Sequence, residues 1–123
     1  MKSNGFPRFS RLLDAGDFRY VFDNNCIKSS NRYFLLLATV SRNNTPRIGF
    51  VFSKKNIKRA VDRNRIKRIS REFFRVHKKN LPKLDIVVLA RSGIANQNNQ
   101  FVVKQLDYLF GKLQSNYDKR AQP

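Results

Sequence analysis

The sequence predicts one α+β domain, in which helices pack on a single sheet of three or four strands. Its 123 residues suit one domain spanning 1–123, and 41% of them are hydrophobic, which is enough for a packed core. Helical and strand-like apolar patterns follow one another in the order helix, strand, strand, helix, strand, helix. The polar or basic ends, residues 1–9 and 115–123, are predicted to be flexible.

Residues 14–22 are predicted to form the first helix. Asp14 or Asp17 can cap its N-terminus, and both place negative charge in the first turn. Phe18 and Phe22 lie four residues apart and therefore share one face. Such a pair more often belongs to a core than to a binding surface.

Three segments predict strands. Residues 33–40 are rich in aromatic, β-branched and leucine side chains, and residues 47–52 alternate apolar side chains onto one side. Residues 84–90 are nearly all apolar, which predicts a strand covered on both faces in a central or parallel position. A weaker pattern leaves a further short strand around Ile27 open.

Two further helices complete the pattern, at 56–78 and 100–113. The longer one has a narrow apolar stripe that predicts its buried side: Ile66, Ile69, Phe73 and Val76. The last helix has an equivalent stripe: Val102, Leu106, Leu109 and Leu113. The phenylalanines of these helices and strands are predicted to lie in the core: Phe34, Phe50, Phe52, Phe73, Phe74, Phe101 and Phe110.

The charge balance predicts a polyanionic partner. Lys and Arg number 26 against 8 Asp and Glu, a net charge of +18. Nucleic acid is favoured, because each neutralised phosphate releases a condensed counterion. An anionic membrane is the weaker alternative, because binding to it would need a long amphipathic basic helix with a broad apolar face, or lipidation, and the sequence shows neither clearly. No apolar run approaches the ~20 residues needed to span a bilayer. The single cysteine, Cys26, cannot form an internal disulfide, which predicts a cytoplasmic protein.

The positive charge is densest in residues 53–71, where Lys and Arg make up about half of the positions and Asp62 is the only acid. On a helical wheel of about 100° per residue, one side opposes the apolar stripe. It carries Arg63, Asn64, Lys67, Arg68, Arg71 and Arg75. A solvated surface face is the plain alternative, but surface charge is usually mixed in sign, so nucleic-acid binding is favoured.

The run Arg63-Asn64-Arg65-Ile66-Lys67-Arg68, preceded by Arg47-Ile48-Gly49 and Ser53-Lys54-Lys55, resembles the arginine-rich signature of the bacterial ribonuclease P protein family. The resemblance covers nearly the whole chain. It extends to Arg11-Leu12-Leu13, Asp17-Phe18, Val21-Phe22 and the strand Asp85-Ile86-Val87-Val88-Leu89-Ala90-Arg91.

This resemblance implies a two-layer α-β sandwich like domain 2 of ribosomal protein S5, with a mixed four-stranded sheet. It also implies a left-handed βαβ crossover through the basic helix, against the general preference for right-handed crossovers. In the family, a catalytic RNA hydrolyses precursor tRNA and removes its 5′ leader. The resemblance therefore implies two partners, the ribonuclease P RNA and precursor tRNA. It implies no membrane and no obligate protein partner, and Mg²⁺ acts through the RNA, with none bound firmly by the protein.

Site residues carry over position by position. Catalytic-RNA contacts are implied for Lys54, Lys55, Arg59, Arg63, Asn64, Arg65, Lys67, Arg68 and Arg71. Arg65 lies nearer the apolar edge of the helix, so bracing of the helix is its alternative role. Leader contacts are implied for Phe18, Phe22, Leu37 and Val51, where Leu37 stands at a position that is aromatic in some relatives.

The residues argue against a self-sufficient enzyme, and no catalytic or metal-binding residue is assigned. His77, the only histidine, is predicted as a solvated helix-end residue, and the carboxylates are scattered. A generic basic RNA-binding protein of ribosomal type remains the alternative. A DNA-binding helix is disfavoured because a strand, not a helix, precedes residue 56.

Overall fold

The computed structural model describes residues 14–41 and 45–121. They form three helices, which are α1 (Ala15–Asn24), α2 (Ala60–His77) and α3 (Asn99–Ala121). The four strands are β1 (Ile27–Ser30), β2 (Phe34–Val40), β3 (Arg47–Val51) and β4 (Leu84–Ala90). Short 3₁₀ turns cover Lys78–Asn80 and Ile94–Asn96.

The strands form one mixed sheet in the order β1-β2-β4-β3. β1 pairs antiparallel with β2 and β2 with β4, whereas β3 and β4 are parallel. The four-stranded mixed sheet and the central position of β4 are thereby confirmed, and the strand at Ile27 exists. Helix α2 connects the two parallel strands. The left-handed sense of this crossover and the likeness to ribosomal protein S5 stay predictions.

Alternation along the strands separates two apolar faces. Phe34, Leu36 and Ala38 of β2 join Ile86 and Val88 of β4 in the main core, under α2 and α3. The predicted stripe of α3 is fully confirmed, because all four of its members are buried there. Phe73, Phe74 and Phe110 are also buried, and Phe50, Phe52 and Phe101 pack half-buried against the same core.

Helix α1 lies on the other face of the sheet. Val21 packs there with Leu37 and Val87 in a small second cluster. Phe18, Leu35, Val51 and Leu89 surround this cluster and are only partly buried. Within residues 14–41 and 45–121, part of the apolar surface beside α1 therefore stays exposed.

The predicted bounds of α2 and its buried stripe need correction. The helix begins at Ala60, not at residue 56, because the Ile57 N–H donates to the Ser53 carbonyl (2.9 Å) in a preceding turn. Val76 is 56% exposed, while Ser70 and Phe74 are buried. The buried side is therefore rotated toward Phe74, and Ser70 fits there because its hydroxyl donates to the Ile66 carbonyl (2.8 Å).

Helix α3 continues past Leu113 to Ala121, where the sequence predicted a flexible end from residue 115. No proline or glycine interrupts residues 114–121. The Asn116 amide donates to the Lys28 carbonyl (3.1 Å), and Tyr117 packs against the main core. These contacts with β1 favour continued helix. Residues 1–9 lie outside the described part of the chain.

No helix in the described ranges has an apolar stretch that could cross a membrane.

Candidate RNA interface

The basic loop that precedes α2 is anchored by Asn56. Its amide donates to the Ala90 carbonyl (3.0 Å), its oxygen accepts from the Ser92 hydroxyl (3.2 Å), and its N–H donates to Ser53 Oγ (3.2 Å). Ile57 beside it is 1% exposed. Lys54 and Lys55 are exposed. The bonds of Asn56 fix the C-terminal part of their loop to the end of β4.

The first arginine of the motif turns back onto this loop. Arg63 is half-buried, and its Nη1 donates to the carbonyls of Ile57 (2.8 Å) and Lys58 (3.0 Å). Arg59, the N-cap residue, makes no capping hydrogen bond with its side chain. Arg63 thus holds the turn that leads into α2, and only the rest of its guanidinium remains for an outside partner.

The second arginine braces α2 against the start of α3. Arg65 Nη1 donates to Asn99 Oδ1 (2.6 Å), and its Nη2 donates to the carbonyls of Ala95 (2.9 Å) and Gln97 (3.1 Å). These three bonds use most of the donor fork. The bracing role predicted as its alternative is what the structure shows.

The remaining cations of α2 fall into two groups. Arg68 and Arg71 are exposed and Lys67 is half-buried, and none of the three has a hydrogen-bond or ion-pair partner among residues 14–41 and 45–121. Two others have acidic neighbours: Arg59 lies 3.8 Å from Asp62, and Arg75 pairs with Glu72. Hydrogen bonding to Arg75 lowers the pKa of Glu72.

The set of cations that α2 leaves available on its solvent side is therefore smaller than the helical wheel predicts. Lys67, Arg68 and Arg71 recur at spacings of three and four, and Asn64 is exposed one turn earlier. Arg63 and Arg75 belong to the predicted stripe but are engaged within the protein. We call Lys67, Arg68 and Arg71 the cationic face.

Helix α1 is held to the sheet by a buried arginine that sequence reasoning missed. Arg47 is 7% exposed and binds Asp85 through Nε–Oδ1 (2.9 Å) and Nη2–Oδ2 (2.7 Å). The same guanidinium contacts both carboxylate oxygens of Asp17 at 3.3 Å. The sequence did contain a signal for this ion pair: each of two otherwise apolar strands has a charged residue near its start, and the two charges are opposite. In the sheet, Arg47 and Asp85 are register partners.

Asp17 joins this ion pair to the cap of α1. Asp14 Oδ1 accepts from the Asp17 N–H (2.9 Å), and Asp17 Oδ2 accepts from the Asp14 N–H (3.0 Å), which forms the predicted cap as a capping box. Burial is the largest single influence on the pKa of Asp17 and raises it. The hydrogen bond with Asp14 and the charge and hydrogen bonds of Arg47 together outweigh burial and lower the pKa below 3.8.

Three of the four residues predicted to contact the leader belong to the second cluster or border it, and the fourth, Phe22, lies one turn after Phe18 on α1. Leu37 is buried within this cluster, and Phe18 and Val51 are half-buried at its edge. Phe22 is 42% exposed. The shared face of the Phe18–Phe22 pair is therefore not a buried one, since Val21 supplies the core contact of α1. We call Phe18, Phe22, Leu37 and Val51 the α1 strip.

His77 differs from its prediction as a solvated residue. Its ring is half-buried and stacks on Phe73, with centroids 4.0 Å apart and planes at 22°. Its Nδ1 lies 2.9 Å from the Phe73 carbonyl. Within residues 14–41 and 45–121, no group of three or more His, Cys, Asp and Glu side chains is placed to hold a metal ion.

The mixed sheet, the crossover helix and its cationic face define a small basic α+β protein of the RNA-binding class. The family model described as Ribonuclease P matches residues 6–114, and the chain belongs to this family. The ribonuclease P protein component of Chromohalobacter salexigens is 45% identical, over 98% of this chain and 94% of that protein. That of Idiomarina loihiensis is 45% identical over 91% of this chain and 90% of the relative.

Solved structures agree with the fold. The RNase P protein from Staphylococcus aureus superimposes with a TM-score of 0.76 at 29% identity, covering 85% of this chain and 96% of that one. The RNase P protein from Thermotoga maritima gives a TM-score of 0.67 at 31% identity, covering 77% and 90%.

We predict that Arg65→Ala lowers the free energy of unfolding by about 1–3 kcal/mol, because three acceptors near the start of α3 lose a charged donor. Arg68→Ala, three residues further along α2, is the control and should change stability by less than about 0.5 kcal/mol. Urea unfolding of both variants measures the difference. Equal stability of the two variants would contradict the bracing role.

We predict that the ion pair at Asp17 makes stability depend on acid pH. Because the pKa of Asp17 is lower in the folded state, its contribution is present above the unfolded pKa and is lost as pH falls through the folded pKa. Asp17→Asn should therefore be less stable at pH 7 and should show a weaker loss of stability below about pH 4. Asp23→Asn, at an exposed position of the same helix, is the control. Chemical unfolding across this pH range measures both, and parallel curves for wild type and Asp17→Asn would refute the prediction.

Proposed function

We propose that this chain is the protein subunit of ribonuclease P, which removes the 5′ leader of precursor tRNA by endonucleolytic cleavage. The observation that carries the proposal is the cationic face of α2, whose three side chains lack partners in the described chain while the helix itself is braced against the start of α3. The catalytic RNA binds this face and the preceding loop. The leader binds the α1 strip.

The geometry of α2 supports RNA docking. At about 1.5 Å per residue, the cationic face spans about 6 Å of the helix axis from Lys67 to Arg71, and the exposed Lys54 and Lys55 add positive charge on the preceding loop. Arginine suits this contact, because its planar fork can bind a phosphate through two hydrogen bonds. Each neutralised phosphate releases counterions, and this release favours binding and relieves the self-repulsion of a chain with net charge +18.

The α1 strip supports binding of a single-stranded leader. Phe22 offers an exposed ring on α1, and Phe18 and Val51 leave part of their apolar surface open. Aromatic side chains can stack on unpaired bases with little regard to sequence, which fits leaders of varied sequence. The ion pair of Arg47 fixes the first turn of α1, and hence the position of Phe18, relative to the sheet.

We further propose that hydrolysis is performed by the RNA, with Mg²⁺ held by the RNA. Several acids of this chain have structural tasks: Asp14 and Asp17 cap α1, Asp17 and Asp85 bind Arg47, and Glu72 pairs with Arg75. This chain would then act by binding and positioning. The half-buried thiol of Cys26 suits the reducing cytoplasm in which we place the assembly.

Reconstituted cleavage tests the proposal. Added to the ribonuclease P RNA of Chromohalobacter salexigens, the protein should lower the Mg²⁺ concentration needed for cleavage and should strengthen binding of precursor over mature tRNA. Gel-based cleavage and binding assays over a Mg²⁺ series measure both effects. An unchanged Mg²⁺ requirement together with equal affinity for the two tRNAs would refute the subunit role.

The cationic face should determine the salt dependence of RNA binding. Replacing Lys67, Arg68 and Arg71 with Ala should reduce the slope of log K against log salt by about 0.7–0.9 for each lost phosphate contact. The control removes the same charge from α3, at the exposed Lys104, Lys112 and Lys119. Filter binding from low to moderate salt gives the slopes, and an unchanged slope in the α2 variant would remove this face from the interface.

Phe22→Ala should weaken precursor tRNA binding by the reconstituted enzyme by about 5- to 100-fold, because one base–aromatic stack is worth about 1–3 kcal/mol. Binding of mature tRNA and the unfolding free energy should stay near wild type, since Phe22 is 42% exposed. Tyr108→Ala, at an aromatic residue 59% exposed on α3, is the control. Equal losses for precursor and mature tRNA would argue against leader contact.

A further inference from the structure

An apolar groove lies open between α2 and α3, on the side of α2 that carries Val76. Ile69 and Val76 of α2 and Val103 of α3 form its walls, with Phe73 and His77 also lining it. Arg68 lies at its border, so the groove adjoins the cationic face. Its volume of about 390 Å³ falls in the range of small-ligand sites. We call it the α2–α3 groove.

The groove leaves apolar surface in water. Val76 is 56% exposed and Val103 is 42% exposed, although the sequence pattern placed Val76 in the core. These two side chains line a concave apolar groove, and concave sites lined mainly by apolar and aromatic side chains are where small planar groups bind.

The groove contains a stacked ring pair. His77 lies against Phe73 with planes at 22° and centroids 4.0 Å apart, and the contact of Nδ1 with the Phe73 carbonyl (2.9 Å) sets its orientation. Phe73 is 6% exposed, so the half-buried ring of His77 supplies the aromatic surface of the groove. Unpaired bases of single-stranded RNA stack on aromatic side chains, histidine included.

The charges around the groove select the occupant. Arg68 brings a positive charge without a partner among the described residues, whereas the negative charge of Glu72 is neutralised by Arg75. A flat apolar group that carries a nearby negative charge therefore complements the groove. A second copy of the chain does not, because two molecules of net charge +18 repel each other.

We propose that the α2–α3 groove binds an unpaired nucleobase of the catalytic RNA, held between Val76 and Val103 against the ring of His77, with its phosphate at Arg68. This inference rests on the proposed function and deepens it. The protein would recognise the RNA by one inserted base as well as by phosphate contacts along α2. Phosphate contacts make RNA binding depend on salt concentration, whereas stacking of a base does not. Measurements over a salt series can therefore distinguish the two.

The test fills the groove without changing charge. Val103→Phe should weaken binding of the ribonuclease P RNA by about 5- to 100-fold, the equivalent of one lost stack. The slope of log K against log salt should stay at the wild-type value, since no phosphate contact is removed. Val40→Phe makes the same change at a valine 56% exposed on β2, away from the groove, and should bind like wild type.

A second variant guards against a packing artefact. Val76→Gln replaces an exposed apolar side chain by a polar one of moderate size, and it should also weaken RNA binding at unchanged slope. Dimethyl sulfate probing of the RNA in each complex should find an unpaired adenine or cytosine that wild type and Val40→Phe protect. The same base should react in the Val103→Phe and Val76→Gln complexes.

Each other outcome overturns the inference in a recognisable way. If Val103→Phe binds the RNA as tightly as wild type, and wild type binds with a steep salt dependence, no nucleobase occupies the groove. The proposed function is then unaffected. A loss of affinity with a reduced slope means that phosphate contacts were lost instead. Reduced self-association of Val103→Phe in sedimentation, with RNA binding intact, assigns the groove to a second copy. Failure of wild type to bind the RNA at all defeats the proposed function itself.

Discussion

The parallel pairing of β3 with β4 is the constraint on which the arrangement of this protein depends. Parallel neighbours cannot be joined by a tight turn, so a long crossover has to leave one end of the sheet and return to the other. Here the crossover is α2, and it must bury one side against the sheet, through Ile66, Phe73 and Phe74. Because that side of α2 is buried, the opposite side of the helix must face away from the sheet. Its cations are presented by a packed helix and not by a mobile tail, so little conformational entropy is left to lose on binding.

The arginines of α2 divide into those engaged by the fold and those left exposed. Arg63 and Arg65 donate to backbone carbonyls on either side of the helix, at Ile57 and Ala95, and so hold its start and its contact with α3. Arg68 and Arg71 remain exposed. A guanidinium can do either task because it carries five donors and stays charged at any ordinary pH. A sequence motif dense in arginine therefore describes a scaffold and a binding surface together, and only the contacts of each side chain separate them.

Much of the fold was predictable because local pattern and tertiary burial agree. The continuous apolar run of β4 and the four-residue stripe of α3 both predicted their burial correctly. Prediction failed where a distant contact decides: Asn116 and Tyr117 extend α3 by packing on β1, and the exposure of Val76 depends on where α3 lies. Arg47 was missed for the same reason. A buried cation is tolerable only beside its carboxylates, and Asp85 is 38 residues away along the chain.

The two apolar surfaces lie on opposite faces of the sheet, the α1 strip on one and the α2–α3 groove on the other. A catalytic RNA bound on the α2–α3 side of the sheet and a leader bound beside α1 would therefore approach from opposite sides and would not compete for the same surface. The loop after β3 connects the two faces. Val51 ends the strand in the α1 strip, and Lys54 and Lys55 follow within four residues, before the turn into α2. Because Asn56 fixes this loop to Ala90, its lysines are held between the two faces, where positive charge would lower the repulsion between two bound polyanions.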